Sequence, residues 1–94
     1  MHITVKAIEP PRKAGAIASA TVEIAFDNHR LTIADWRILR NRTGELWVAP
    51  PSYAVPEGKS YHYENTVVAD RALLHEVAAV VLDAYERRQA GGAA

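Results

Sequence analysis

Apolar and polar positions alternate along much of the first half of the chain. Ile3, Val5 and Ala7 are separated by Thr4 and Lys6, a period of two that predicts a first strand ended by Pro10-Pro11. Arg12-Lys13-Ala14-Gly15 follows as a basic loop. Ala16, Ala18, Ala20, Val22, Ile24 and Phe26 then hold the even positions, with Ser19, Thr21, Glu23 and Asp27 on the odd ones. That is the pattern of a half-buried strand. Its run of small alanines leaves room for something large against the apolar face, and the helix later in the chain is the candidate. Asp27-Asn28-His29 has tight-turn composition, since Asp and Asn tolerate left-handed backbone.

Two apolar-rich runs, Leu31–Leu39 and Leu46–Ala49, flank Asn41-Arg42-Thr43-Gly44 and predict a β-hairpin carrying both tryptophans. The first arm changes phase: Leu31 and Ile33 are apolar at odd positions, Trp36 and Ile38 at even ones. A period of two cannot change parity without an extra residue, so a bulge or sharp bend is expected near Ala34-Asp35. Pro50-Pro51 cannot donate to a ladder and ends the second arm.

Tyr53 to Lys59 contains Pro56 and Gly58 and reads as an exposed loop, followed by a short aromatic strand at Ser60–Glu64. From Asp70 to Gln89 the period becomes helical. Leu74, Val77, Val81, Ala84 and Tyr85 make one stripe, widened by Leu73 and Val80. Asp70 is placed to cap it, Arg87-Arg88 suit its negative end, and Gly91-Gly92 are expected to stop it. The expected fold is α+β: an antiparallel meander of four to five strands with one long C-terminal helix packed on the sheet. Residues 1–90 form a single domain and residues 91–94 a frayed tail.

Composition narrows the function classes. The 94 residues include no cysteine, which removes disulfides and thiolate chemistry and leaves zinc only histidine and carboxylates. His2, His29, His62 and His75 include no pair at a helical i, i+4 or alternate-strand spacing. There is no nucleophile elbow, phosphate-cradling glycine loop or carboxylate cluster, so the chain is not expected to be an enzyme. No cofactor, metal or small-molecule substrate is implied. No apolar run reaches the roughly 18 residues of a membrane span, and the N-terminus lacks the plan of a signal peptide; a cytoplasmic location is the default expectation. The formal net charge is zero, which disfavours an indiscriminate polyanion binder. Residues 1–56 hold seven basic and five acidic side chains and residues 57–94 four and six, which leaves room for a basic face.

The ordered set Ala18-Ser19-Ala20-Thr21-Val22, Leu31-x-Ile33-x-Asp35-x-Arg37-Ile38 and Gly44-x-Leu46-Trp47-Val48-Ala49-x-Pro51-Ser52 is followed by one C-terminal helix with Tyr85. Together these resemble the SpoVG family (stage V sporulation protein G, or septation protein), over about Ile3 to Tyr85. The resemblance implies a meander with a helix packed on it, homodimerisation through strands, and DNA or RNA binding in bacterial gene regulation linked to sporulation and septation. Where the family carries a basic pair after Pro-Ser, this chain has Tyr53-Ala54. A dimeric protein-interaction module without nucleic-acid binding is therefore the alternative reading.

The candidate phosphate contacts are Arg12, Lys13, Arg30, Arg37, Arg40, Arg42 and Lys59, with Tyr53, Tyr61 and Tyr63 available to stack on unpaired bases. The competing account of these arginines is that they keep the sheet surface soluble. Asp35 and Arg37, two apart on one strand, are expected to pair. An unpaired sheet edge and the apolar hairpin predict a dimer seam at Leu31, Ile33, Trp36, Ile38, Leu46, Trp47 and Val48. Trp36 and Trp47 are expected to fill either the core or that seam.

Overall fold

In the computed structural model, which describes residues 1–92, six strands precede one helix. Strands β1 (His2–Glu9), β2 (Ala18–Phe26), β3 (His29–Arg40) and β4 (Leu46–Ala49) form one antiparallel sheet in the order β1-β2-β3-β4. Strands β5 (Ser52–Glu57) and β6 (Ser60–Asn65) pair only with each other, and α1 (Arg71–Gly92) packs on the four-stranded sheet. The fold is the expected α+β meander with a C-terminal helix.

The parity change in β3 has its expected cause. Ala20 pairs with Trp36 and Val22 with Ile33, so the single residue Thr21 stands opposite both Ala34 and Asp35. Asp35 takes up the extra length in left-handed backbone at φ 68°. The bulge keeps Ile33 on one side of it and Trp36 and Ile38 on the other turned toward the helix. A second bulge lies in β1, where Val5 pairs with Val22 but Ala7 with Thr21, leaving Lys6 over. The strict alternation expected through Ala7 therefore breaks, and Ile8 enters the core instead of Ala7. Both bulges meet at Thr21, and bulges add local twist and bend.

The core lies between the sheet and α1: Ile8, Ala18, Ala20, Val22, Ile24, Trp36 and Ile38 from the strands meet Val77 and Val81 from the helix. Each fully buried Val or Ile contributes about 1.5–3 kcal/mol. Alanines at 18 and 20 sit opposite Ile38 and Trp36, so the small residues accommodate the indole as well as the helix. Trp36 and Ile38 are therefore inside the protomer and cannot belong to a dimer seam. Ile33, Leu46 and Val48 pack at the margin of the same core, while Leu31 and Trp47 are about half exposed.

Asp70 caps the helix: its carboxylate accepts from the Leu73 amide (2.8 Å) and its carbonyl from the Leu74 amide (3.0 Å). Glycines do not stop α1, which runs on through Gly91 and Gly92; of the expected frayed tail, Ala93 and Ala94 lie outside the described residues. Arg88 reaches back from the last turns to donate to the Ile8 carbonyl. No helix among the described residues is long and apolar enough to cross a membrane.

The expected loop at Tyr53–Lys59 is instead half of a hairpin. Gly58, at φ 62°, takes the first central position of a two-residue turn between Glu57 and Ser60, where glycine serves a type II′ geometry. Pro56 is tolerated because both strands of this pair are edges. The hairpin projects as an arm: every residue of β6 is exposed. The radius of gyration is accordingly 14.2 Å, against roughly 12 Å for a compact chain of this length.

Candidate functional site

The sheet face away from the helix carries a polar pocket of about 670 Å³. The β2–β3–β4 register puts Ser19, Arg37 and Ala49 in one row across that face, with Leu39 and Trp47 in the next. The bulge adds Asp35 to it, and the Arg12–Gly15 loop and the base of the arm close the sides. Gly15 at φ 88° lets that loop turn, and the Pro51 carbonyl accepts from the Thr66 amide (2.7 Å), tying both ends of the arm together.

Within the pocket Lys13 is the hub. Its ammonium donates to the Ser52 carbonyl and lies 3.6 Å from Asp35 Oδ2. Ser19 Oγ donates to Asp35 Oδ1 at 3.3 Å. Arg37 Nη2 donates to the Pro50 carbonyl at 3.3 Å. The expected Asp35–Arg37 pair is thus replaced by Asp35–Lys13, because the left-handed backbone at Asp35 aims its carboxylate toward β2 and the basic loop. Of the three buried polar side-chain atoms without a partner among the described residues, Arg37 Nε and Ser52 Oγ lie here and Trp36 Nε1 lies in the core. Tyr53 and Tyr63 line the pocket from the arm and are 48% and 68% exposed.

The remaining cations are scattered. Arg40 falls on the helix side of β3, paired with Leu46, and its guanidinium donates to the Gly44 carbonyl (2.8 Å). Arg42 lies in the hairpin turn, Lys59 at the tip of the arm and Arg30 at the start of β3, all exposed. Arg12 is 3.6 Å from Glu9. Tyr61 shares the arm face of Tyr63 but stands nearer the tip. So of the basic candidates, Lys13 and Arg37 are brought together, with Tyr63 beside them, while the Tyr53 ring lies on the other face of the arm against Glu64. Ser19 and Ser52 were not anticipated. Carrying the register through the bulge would have found Ser19, since it sets residues 19, 35 and 37 on one face.

The arm has its own polar network. The Tyr53 hydroxyl donates to Glu64 Oε2 (2.8 Å), and the His62 ring lies between Glu57 (Nδ1–Oε2, 3.0 Å) and Glu64 (Nε2–Oε1, 3.1 Å). Hydrogen bonds from His62, and then from Tyr53, hold the Glu64 carboxyl below its ordinary value of 4.5. The hydrogen bond to Glu64 and that group's charge push the Tyr53 phenol above its ordinary 10.0.

Comparison with protein-family models, with curated proteins and with solved structures returns no match to this chain.

Proposed function

We propose that this protein is a dimeric nucleic-acid-binding regulator that takes single-stranded DNA or RNA on the face away from its helix. The observation that carries the reading is the meeting of Lys13 and Arg37 with exposed Tyr63 on one surface. Cations neutralise phosphates, and tyrosine faces accept bases of any identity. Unpaired strands fit this surface better than duplex, because only unstacked bases offer a face to an aromatic ring. The resemblance to SpoVG regulators points the same way.

A near-neutral protomer gains a usable basic surface by joining two such patches, so the reading includes a homodimer. Strand β4 offers a free sheet edge next to Trp47, which is 47% exposed, and a free edge is where a second chain can add a strand. The alternative of a protein-interaction module is favoured by one feature, the fully exposed and tyrosine-bearing β6.

Fluorescence anisotropy with single-stranded RNA, single-stranded DNA and duplex DNA at roughly 50 mM salt separates the two. Micromolar binding to single strands is expected, with a log–log salt slope of about −0.7 per phosphate contact. Arg37→Ala should weaken binding and flatten that slope, whereas Arg40→Ala, on the opposite face, should leave affinity within about twofold. Absence of binding to all three at tens of micromolar protein would leave the interaction module as the reading.

A further inference from the structure

We infer that the pocket between the sheet and the arm is a binding site for one nucleoside monophosphate unit, with the phosphate at Lys13 and Arg37 and the base against Tyr63. The inference deepens the nucleic-acid reading and rests on it where the unit belongs to a strand.

The hydrogen-bonding inventory defines the ligand's charge. Lys13 has three N–H donors and two partners, the Ser52 carbonyl and Asp35. Arg37 has five donors; one goes to the Pro50 carbonyl, and its buried Nε has no partner among the described residues. Ser52, only 7% exposed, likewise leaves its hydroxyl unpartnered. The one carboxylate present, Asp35, is already engaged by Ser19 and Lys13. Donors therefore exceed acceptors, and buried donors are normally satisfied. A group that only accepts and carries negative charge, as a phosphate does, can take up these donors.

Shape and lining define the rest. A volume of about 670 Å³ exceeds what an inorganic anion fills and falls in the range of small-molecule sites. Tyr63 projects from the same arm face as Ala54, whose small side chain leaves its ring free on the pocket side. A planar base can lie against that ring. Asp35 holds its strained conformation at the base of the pocket, and such strain concentrates at ligand sites.

The unit can come from two sources, a free nucleotide or a nucleotide within a single strand, and the test distinguishes them. Amide chemical shifts of the full chain are followed during separate titrations with uridine 5′-monophosphate, uridine, inorganic phosphate and a short oligouridylate. The monophosphate is expected to shift Lys13–Gly15, Asp35–Arg37 and Tyr63, and to bind more tightly than either uridine or phosphate. Tyr63→Ala, at a largely exposed position, should fold normally and weaken monophosphate and oligomer alike by at least about fivefold, with Tyr63→Phe restoring affinity. If the oligomer binds while the monophosphate leaves the pocket unshifted and Tyr63→Ala changes nothing, the pocket inference is overturned and the nucleic-acid reading stands. If the monophosphate binds there and the oligomer does not, the inference stands with the free nucleotide as ligand and the nucleic-acid reading fails. Equal affinity for monophosphate and inorganic phosphate overturns the base contact, and no shift from any of the four overturns the site.

Discussion

Asp35 is where backbone strain, polar contacts and the pocket meet. A non-glycine residue at φ 68° costs about 1–2 kcal/mol, offset here by its contacts with Ser19 and Lys13. Two substitutions separate these terms, since both remove the carboxylate but only glycine removes the strain. Urea unfolding should find Asp35→Gly more stable than Asp35→Ala by about 1 kcal/mol, less than the full strain because glycine also gains freedom when unfolded. Equal stabilities, or a more stable alanine variant, would show that the bulge carries no strain. The irregularity itself was legible in the sequence, because the parity slip between Ile33 and Trp36 requires a bulge or a sharp bend, and the register shows the bulge. The partner of Asp35 was not, because a two-residue spacing says which face a side chain shares but not where a left-handed residue aims it. Lys13 lies far away in sequence and enters only when the basic loop folds over that face.

At the scale of elements, the helix and the arm sit at opposite ends of stability. The α1 stripe of Val77 and Val81 is fully buried and its start is capped, so Asp70→Ala should cost about 1 kcal/mol of global stability in a denaturant titration. The arm buries almost nothing, and a lone two-stranded hairpin is marginal in water. Its amides should exchange with solvent much faster than those of β2 and β3, at a free energy well below global unfolding. Its polar network also makes its order depend on pH at both ends. Glu64 is lowered in the folded state, so its contribution is full above its ordinary 4.5 and is lost as pH falls through the lowered value. Tyr53 is raised, so its contribution is full below 10.0 and is lost as pH rises through the raised value. Site-resolved NMR titration should show Tyr53 returning toward 10.0 in Glu64→Gln; an unchanged Tyr53 would mean that Glu64 is not the cause. The second strand of the arm was legible from its aromatics. The first was not, because Pro56 and Gly58 are loop residues by composition and serve here as an edge proline and a turn glycine.

For the whole molecule, one sheet separates two chemistries: an apolar face closed by the helix and a polar face left open beneath the arm. The apolar side follows from periodicity alone, which is why the meander, the helix and most of the core could be read from the chain. The polar side depends on segments distant in sequence meeting across the bulge, so the basic candidates could be enumerated but not sorted by face. Trp47 and the β4 edge remain exposed, and sedimentation equilibrium should return twice the mass of one chain; a single-chain mass at micromolar concentration would remove the dimer. The central claim is that the open face, rather than the helix, meets nucleic acid. Amide shift mapping with single-stranded RNA at roughly 50 mM salt tests it most directly. Perturbations should gather at Lys13–Gly15, Asp35–Arg37, Ser52–Ala54 and Tyr61–Tyr63 and fade as salt is raised. Perturbations confined to Arg71–Gln89, or none at all, would contradict it.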